Sequence, residues 1–451
     1  MIGVSSVGNA TLIVYDGAPL ITTDPWLGET DPAYFGSWVL SHEIPKTQIQ
    51  EILACPYIWI SHGHPDHLNS KSLEKLQGKE ILLPDHFGSR ISKGLLSKNY
   101  KVTILPDRKW HRLSANVKVM CITTILQDSI LLVDVNKNLF VNLNDAGTKH
   151  CTRFIRKIVK QYKNSYLLSL SGYGDADMIN FYNEAGDFIV PPAMNNTRVG
   201  EQLGIQANSL GISKVVPFSS HHQYQREDSI WAQEYTTPIS SYKDGIPKNI
   251  EFIPPFVKID CGDGQYEEIN PRPINVDIKP SEYFGDNWSE ELSIRDKKSL
   301  EDYFVKKELL SKRLSFINFR VGKKDFTIKL SDSSKKGITF EVPRNSLMQT
   351  INFEIFDDLL IGNFMKTTLH GLNSLYDKDI SLIIAKYADN GEAQSIDELE
   401  KYTKEYKRRA GREFLYENFL DNSKRIFNRL ISSNRGSSVY RASKKIYYKI
   451  K

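Results

Sequence analysis

The sequence predicts a layered protein of the α/β (α+β) class, in which sheets are buried on one face and helices lie outside them. Two patterns indicate this. Short apolar runs bounded by turn residues follow one another through the first half, as in ATLIVY, YIWIS and SILLVDV, and are typical of buried strands. Helical patterns, clearest in residues 152–164, separate some of these runs. The length of 451 residues exceeds that of one ordinary domain, so we expect more than one.

The pattern along the chain divides it into three parts. The opening residues predict a pair of strands, and strand-like runs continue until proline and glycine accumulate in residues 252–280. We therefore place a first domain at 1–270. Residues 281–400 predict a small α+β domain, which opens with a charged helix over 293–311 and continues with strands. Residues 401–451 predict a basic helical tail.

The composition argues against several classes of protein. Apolar residues make up 40% and charged residues 25%, which is ordinary for a folded globular protein. No run of about eighteen apolar residues occurs, so no transmembrane helix is expected, and the opening residues do not predict a signal peptide. None of the four cysteines forms a CxxC pair. This argues against a cysteine zinc site or an iron–sulfur cluster and favours a cytoplasmic location.

Charge is distributed unevenly along the chain. Residues 401–451 hold fifteen Lys and Arg against four Asp and Glu, so this segment is strongly basic. Because the net charge of the whole chain is only +5, the remaining residues are net acidic. The tail predicts attraction to an anionic membrane surface or an acidic partner, which would make the protein peripheral to the membrane. A solvated helix is the alternative. Nucleic acid is not an expected partner, because the body is acidic and no nucleic-acid module is present.

The stretch ISHGHPDHLN, residues 60–69, is the clearest functional signal. It holds three of the ten histidines and directly follows strand-forming residues. Its glycine and proline predict a loop at the end of that strand, where functional residues gather. The loop carries His62, His64, Asp66 and His67. Imidazole nitrogens and carboxylate oxygens bind zinc, iron or manganese, and two such sets close together form a two-metal site.

This HxHxDH pattern resembles the signature of the metallo-β-lactamase superfamily, and further signals follow it in the same order. Asp24 in LITTDPWL matches an aspartate that closes the second strand, and Asp145 in LFVNLNDAG matches the carboxylate that bridges two metals. The pair His221–His222 in VVPFSSHHQY matches the last histidine ligand. The resemblance implies an αββα sandwich, with two mixed sheets between outer helices, that binds two divalent metals. It also implies that Asp24 orients a metal-binding histidine.

Two positions depart from the superfamily pattern. Where the superfamily has another histidine before the bridging aspartate, this chain has TTILQDS, whose strong ligand is Asp128. Either Asp128 substitutes for the histidine or one metal has fewer protein ligands, and more oxygen shifts the preference from zinc toward iron or manganese. The second departure is the histidine pair. Adjacent residues at a strand end point in opposite directions, so one should face the metals, and we expect it to be His222 rather than His221.

Within the superfamily, the chain resembles the branch of the cytidine monophosphate N-acetylneuraminic acid hydroxylases. The resemblance lies in DPWLGETDPAYFGSWVLSHE, DSILLVDVNKNLFVNLNDAG and SLSGYGDADMINFY. Those hydroxylases carry a Rieske iron–sulfur module, for which this chain has no CxH pair, so similar chemistry would need an external electron donor.

Two residues beside the motif strands, Asp177 and Arg226, are candidate substrate contacts. Arg226 fits a phosphate or carboxylate, and a salt bridge to Asp228 is the alternative.

Together these signals predict a cytoplasmic metallohydrolase-like enzyme with two divalent metals, zinc or iron, with manganese as a further option. The expected metal ligands are His62, His64, Asp66, His67, Asp145 and His222, with Asp128 as an additional candidate. Asp66 and His222 are the expected catalytic residues, with Asp66 as the proton acceptor beside an activated hydroxide. The resemblance implies a small anionic substrate such as a nucleotide sugar or glycan precursor. The alternatives are a di-iron oxygenase and a non-catalytic binding protein stabilised by metal.

Overall fold

The computed structural model of the protein describes residues 1–28, 31–170, 178–190, 198–332, 335–375 and 380–419. Asp177, one of the candidate substrate contacts, lies outside the described residues, as do residues 420–451 of the predicted tail.

In chain order, the strands are β1 (Ile2–Val7), β2 (Thr11–Asp16), β3 (Ala18–Thr23), β4 (Trp38–Leu40), β5 (Tyr57–Trp59), β6 (Glu80–Pro84), β7 (Lys101–Leu105), β8 (Trp110–Arg112), β9 (Val117–Thr123), β10 (Ser129–Val135), β11 (Asn138–Asn144), β12 (Asn164–Leu170), β13 (Phe181–Tyr182), β14 (Lys214–Phe218), β15 (His222–Tyr224), β16 (Glu251–Phe252), β17 (Val257–Asp260), β18 (Tyr266–Glu268), β19 (Phe316–Val321), β20 (Lys324–Lys329), β21 (Gly337–Glu341) and β22 (Lys366–His370).

The α-helices are α1 (Lys46–Ala54), α2 (Ser70–Glu74), α3 (Arg90–Ser97), α4 (Thr152–Val159), α5 (Val199–Leu210), α6 (Ile294–Val305), α7 (Glu308–Ser311), α8 (Arg344–Phe353), α9 (Phe356–Ile361), α10 (Ile380–Leu382) and α11 (Ile396–Ala410). A π-helical segment, Ile383–Asn390, follows α10.

Two mixed sheets face each other in the first part of the chain. The first has the strand order β18-β17-β1-β2-β3-β5-β6-β7, and the second has the order β16-β14-β12-β11-β10-β9-β8. Side chains from both sheets, among them Val14, Trp59, Val133 and Phe140, form one core between them and have no exposed surface. β10 and β11 are apolar along most of their length because both faces of their sheet are covered.

Helices cover the outer faces of both sheets. Ile52 of α1, Leu73 of α2 and Leu95 of α3 pack in one cluster on the outside of the first sheet. Ile155 of α4 and Leu203 of α5 pack in another on the outside of the second sheet. The predicted αββα sandwich is therefore confirmed.

A third sheet belongs mainly to residues 281–419, which we call the accessory region. Its strand order is β13-β22-β21-β19-β20, and helices α6, α8 and α9 pack on it through a core that includes Phe304, Leu347 and Phe356. The edge strand β13 comes from the first part of the chain and pairs with β22, with Phe181 opposite Thr367. The first part therefore contributes a strand to the accessory sheet. The division at 270 and 281 stays a prediction.

Two predicted features differ in the structure. The helix expected over 293–311 is two helices, α6 and α7, because the backbone at Lys307 leaves the helical conformation and its ammonium is buried 2.7 Å from Asp389 Oδ1. Residues 252–280, whose lost periodicity suggested a boundary, carry β17 and β18 of the first sheet. These strands are too short to leave a periodic signal.

Helix α11 connects the C-terminal part of the described chain to the sandwich. It begins at Ile396, before the predicted tail, and Ser395 caps it in a reciprocal arrangement with Glu398. Its Tyr402 and Tyr406 are buried. Across the described ranges, the helices are all too short or too polar to cross a bilayer.

Candidate metal centre

The loop with the HxHxDH pattern leaves β5 at its C-terminal end and leads into α2. The helix begins at Ser70, because the Asn69 side chain accepts a hydrogen bond from the Ser72 amide in the first turn and caps it. Within the loop, His62 is 3% exposed and His67 is fully buried. The histidines therefore point into the protein, at the edge where the strands of both sheets end.

The side chains of five predicted ligands converge. His62 Nε2 lies 2.9 Å from His64 Nδ1 and 3.8 Å from Asp145 Oδ2. His67 Nε2 lies 3.1 Å from the same oxygen of Asp145 and 3.4 Å from Asp66 Oδ2. Asp145 thus stands between two sets of ligand atoms, one from His62 and His64 and the other from Asp66 and His67. This is the arrangement that a carboxylate shared by two cations requires.

Residues at the ends of other strands hold the cluster in place. Asp145 follows β11, and its Oδ1 accepts a hydrogen bond of 2.6 Å from Ser219 Oγ. Asp24 follows β3 and is fully buried. Its Oδ1 accepts a hydrogen bond of 2.7 Å from the Ser61 amide, and its Oδ2 lies 3.2 Å from His67 Nδ1. The contact leaves His67 Nε2 facing Asp145, as expected if Asp24 orients this histidine.

Both carboxylate oxygens of Asp66 have hydrogen-bond donors. The Tyr34 hydroxyl donates to Oδ1 at 2.6 Å, and Asn9 Nδ2 donates to Oδ2 at 2.9 Å. Tyr34 and Asn9 were not predicted as site residues, because neither lies in the HxHxDH motif. The carboxylate of Asp66 is therefore fixed in orientation before any ligand binds.

The adjacent histidines 221 and 222 have different surroundings. His221 Nδ1 lies 3.2 Å from the carbonyl oxygen of Gly8. The His222 ring stacks on Trp38 at 3.5 Å between centroids, and both of its nitrogens are buried without a hydrogen-bond partner in the part of the chain that the structure describes. Burial lowers the pKa of His222 to about 3, so its imidazole is neutral, as a metal ligand must be. The geometry favours His222 as the ligand of the pair.

Asp128 lies beside the cluster but pairs with a lysine. Its Oδ1 is 3.2 Å from Lys386 Nζ, which comes from the π-helical segment. Among the described residues, the groups of potential ligand atoms that lie within 4.8 Å of one another include neither Asp128 nor His222. The pairing with Lys386 favours the alternative in which one metal has fewer protein ligands.

Of the two candidate substrate contacts, Arg226 lies among the described residues. Arg226 is fully buried, and its guanidinium donates to Asp228 through Nε and Nη2 and to Asp286 and the Phe35 carbonyl through Nη1. These contacts favour the salt-bridge alternative for Arg226. Asp177 lies outside the described residues.

Three residues of the accessory region reach the site and were missed in the sequence. His64 Nε2 lies 3.0 Å from Asp357 Oδ2, and Asp358 belongs to the same group of potential ligands. Lys386 is the third. The sequence does hold a signal for the first two, since the acidic pair in IFDDLLIG interrupts an apolar run, and buried carboxylates are rare without a partner.

The electrostatics follow from burial and from the crowding of carboxylates. Burial, with help from the neighbouring histidines, lowers the pKa of His62 well below its usual value and keeps the ring neutral. Burial also acts to lower the pKa of His67, but the carboxylates of Asp66, Asp145 and Asp24 outweigh it and raise that pKa well above its usual value. Negative charge therefore dominates the centre.

The residues fit a pair of divalent cations. Histidine nitrogens and aspartate oxygens are suitable donors, and the buried nitrogens of His222 have no hydrogen-bond partner within the described ranges. Asp66, Asp357 and Asp358 are buried, and Asp145 beside them is partly buried. Carboxylates gathered in this way are costly unless positive charge compensates them. The cluster opens into a cavity of about 310 Å³, lined also by Trp38, Leu170, Met178, Ser219 and Lys386.

Comparisons with known proteins find similarity over part of this chain. No protein-family model matches the chain. Cytidine monophosphate-N-acetylneuraminic acid hydroxylase of Danio rerio is 29% identical over 139 residues, a match that covers 29% of this chain and 22% of the hydroxylase. The match thus spans less than a quarter of that relative, and the activity of the whole hydroxylase does not transfer with it.

Two solved structures are similar over about half of this chain. Isothiocyanate hydrolase from Delia radicum gut bacteria has a TM-score of 0.38 at 12% identity and covers 59% of this chain and 99% of the hydrolase. The diiron β-hydroxylase CmlA of Streptomyces venezuelae has a TM-score of 0.34 at 13% identity and covers 49% of this chain and 45% of CmlA. Scores this low decide nothing about the reaction. The HxHxDH loop, the central Asp145, the αββα sandwich and the hydroxylase match support the resemblance of this chain to the metallo-β-lactamase superfamily.

Proposed function

We propose that the protein is a metal-dependent hydrolase that acts on a small anionic metabolite. The observation that carries the proposal is the convergence of five potential ligands at the shared edge of the two sheets, namely His62, His64, Asp66, His67 and Asp145. Three of them, His64, Asp66 and Asp145, line one cavity. Two divalent cations bound there would lower the pKa of a water molecule toward neutrality and polarise an ester, amide or phosphodiester.

Asp66 is the residue best placed to accept a proton. Burial acts to raise the pKa of its carboxyl, but His67 outweighs it and holds that pKa below its usual range, so the group is ionised. Tyr34 and Asn9 hold the two oxygens in place. Asp66 lines the cavity and can therefore reach a water molecule or a substrate group in it.

The substrate class is proposed from the charge and size of the cavity. Bound cations and the Lys386 ammonium would attract an anionic group, while Trp38, Leu170 and Met178 offer apolar walls. Burial acts to lower the pKa of Lys386, but Asp128 and Asp357 outweigh it and raise that pKa, so the lysine is charged. The similarity to the hydroxylase supports a nucleotide sugar or glycan precursor as substrate.

Oxygen chemistry is the second candidate, and the number of carboxylates near the centre favours it. Asp358 belongs with His64 and Asp357 to a group of potential ligand atoms, and the superfamily's additional histidine is missing from the sequence window of Asp128. The centre is therefore richer in oxygen and poorer in nitrogen, which shifts the metal preference from zinc toward iron or manganese. An iron-loaded site would supply one-electron chemistry with dioxygen, and the protein would need an external electron donor.

Metal content and the need for oxygen separate these functions. The protein is purified without added metal, analysed for elements, and assayed with bis(p-nitrophenyl) phosphate and p-nitrophenyl acetate in air and under argon. We expect about two metal ions per chain and equal hydrolysis with and without oxygen. His64→Ala, with His111→Ala as the control at a histidine distant from the motif, should lose metal and hydrolysis.

The contrary outcomes are equally specific. Iron as the bound metal, together with turnover only when oxygen and a reductant are supplied, would replace hydrolysis by oxygenation. Bound metal that His64→Ala removes, without turnover in air, under argon or with a reductant, would favour the non-catalytic protein stabilised by metal. A wild-type protein without metal would contradict all three alternatives.

A further inference from the structure

We propose that Asp357, in the accessory region, is a positioning residue for the metal centre. Its contact with His64 determines which ring nitrogen of that histidine is available to the metals. The inference rests on the proposed two-metal site. It gives the accessory region a part in metal binding that acts through His64, although Asp357 lies 293 positions from His64 in the chain.

The two nitrogens of His64 face different groups. Nδ1 lies 2.9 Å from His62 Nε2, which is itself 3.8 Å from Asp145 Oδ2. Nδ1 therefore faces the cluster of ligand atoms. Nε2, on the other side of the ring, lies 3.0 Å from Asp357 Oδ2. The ring thus bridges the metal cluster and the accessory region.

The chemistry of the contact sets the position of the hydrogen on the ring. A neutral imidazole carries one N–H, and an ionised carboxylate can only accept a hydrogen bond. Asp357 therefore favours the form of His64 with hydrogen on Nε2, which leaves the lone pair of Nδ1 free for a cation. Carboxylates that accept from the outer nitrogen of a metal-binding histidine raise its basicity and fix its orientation. Asp24 has the corresponding contact with His67.

Asp357 is held rigidly enough for this role. It is 4% exposed and lies in the first turn of α9. The amide of Phe356, the preceding residue, donates to Asp389 Oδ2 at 3.1 Å, and Asp389 is in turn bound by Lys307 and the Tyr303 hydroxyl. The start of α9 is therefore fixed by a buried network, and Asp357 with it.

The test compares Asp357→Asn with Asp358→Asn, which makes the same change from carboxyl to carboxamide at the next residue of α9. Dissociation constants for Zn²⁺ are measured by competition with a chromophoric chelator. The hydrogen positions in the metal-free protein are read from two-bond ¹⁵N–¹H NMR spectra of ¹⁵N-histidine-labelled protein, with His64 assigned through His64→Ala. Asp357→Glu, which keeps a carboxylate, provides the rescue variant, and circular dichroism checks that each variant is folded.

We expect Asp357→Asn to weaken one of the two zinc sites by about 10- to 100-fold while both sites still fill at high zinc. His64 should lose its preference for hydrogen on Nε2 in Asp357→Asn, keep it in Asp358→Asn and recover it in part in Asp357→Glu. Unchanged constants and an unchanged His64 spectrum in Asp357→Asn would overturn the inference. So would loss of one zinc even at saturation, because Asp357 would then be a ligand itself.

Wild-type results separate this inference from the proposed function. If the wild-type chain binds two zinc ions and Asp357→Asn binds them identically, Asp357 has no positioning role and the hydrolase proposal stands. If the wild-type chain binds no zinc, both the positioning role and the hydrolase proposal fail. If Asp357→Asn does not fold, Asp357→Glu decides, since its displaced carboxylate should still weaken zinc binding in a folded protein.

Discussion

Neighbouring residues in this centre differ in role because their side chains reach different partners. His221 contacts the backbone of Gly8, whereas His222 stacks on Trp38 and has no hydrogen-bond partner among the described residues. The reversal of direction between adjacent residues was predictable from the sequence. The stacking of His222 on Trp38, which leaves its nitrogens for another ligand, depends on the pairing of β4 with β15 and was not predictable.

Alanine variants of the two histidines should separate metal binding from folding. We expect His222→Ala to lose one metal or bind it much more weakly, because a neutral nitrogen donor is removed. His221→Ala should keep both metals and lose about 1–3 kcal/mol of stability, since its partner group is left unpaired in the interior. Elemental analysis after dialysis and urea unfolding measure the two effects. Equal metal loss in both variants would contradict the assignment.

At the scale of elements, α11 shows how a charged sequence can hide a packed helix. Basic residues suggested a solvated or membrane-binding tail from residue 401, yet Tyr402 and Tyr406 are buried. The Tyr406 hydroxyl accepts hydrogen bonds from the Phe87 amide at 3.1 Å and from Gln127 Nε2 at 3.2 Å. The helix therefore covers the loop that carries Asp128. The spacing of four residues between the tyrosines was a signal of this buried face.

Substitutions in α11 should distinguish a packed helix from a free tail. Tyr406→Ala should lower the free energy of unfolding by about 3–5 kcal/mol, as for other large buried rings, because it leaves a cavity and unpaired donors. Lys404→Ala, on the exposed side of the same helix, should change it by about 0.5 kcal/mol or less. Urea unfolding followed by circular dichroism measures both. A Tyr406→Ala protein as stable as wild type would show that the helix does not pack as described.

At the scale of the whole molecule, the sequence predicted local features and missed distant ones. The layered α and β architecture and the HxHxDH loop were predictable because strand patterns and a short motif are local, whereas the αββα sandwich was implied by the resemblance. The contact between His64 and Asp357 was not, because no local pattern indicates which helix of one region will face a loop of another. Arg226 is a similar case. Its pairing with Asp228 is local and was weighed from the sequence, whereas its pairing with Asp286 is not.

The pairing of Arg226 with Asp286 predicts a large effect on stability. Arg226→Met should cost about 3–5 kcal/mol, because buried carboxylates lose their partner. Arg272→Met, which removes an exposed pair with Glu43, should cost about 1 kcal/mol or less. Urea unfolding of both variants provides the comparison. A stable Arg226→Met protein with weakened substrate binding would instead support the substrate contact considered from the sequence.

The edge strand β13 has a practical consequence for dividing the chain. β13 covers the outer side of β22, yet it lies about a hundred residues before the accessory region begins. A fragment expressed from residue 281 onward would lack this cover and would expose the backbone groups of β22 along an open edge. Exposed edges of this kind pair with other chains and lead to aggregation. Recombinant fragments of the accessory region should therefore start before Phe181 or carry a substitute strand.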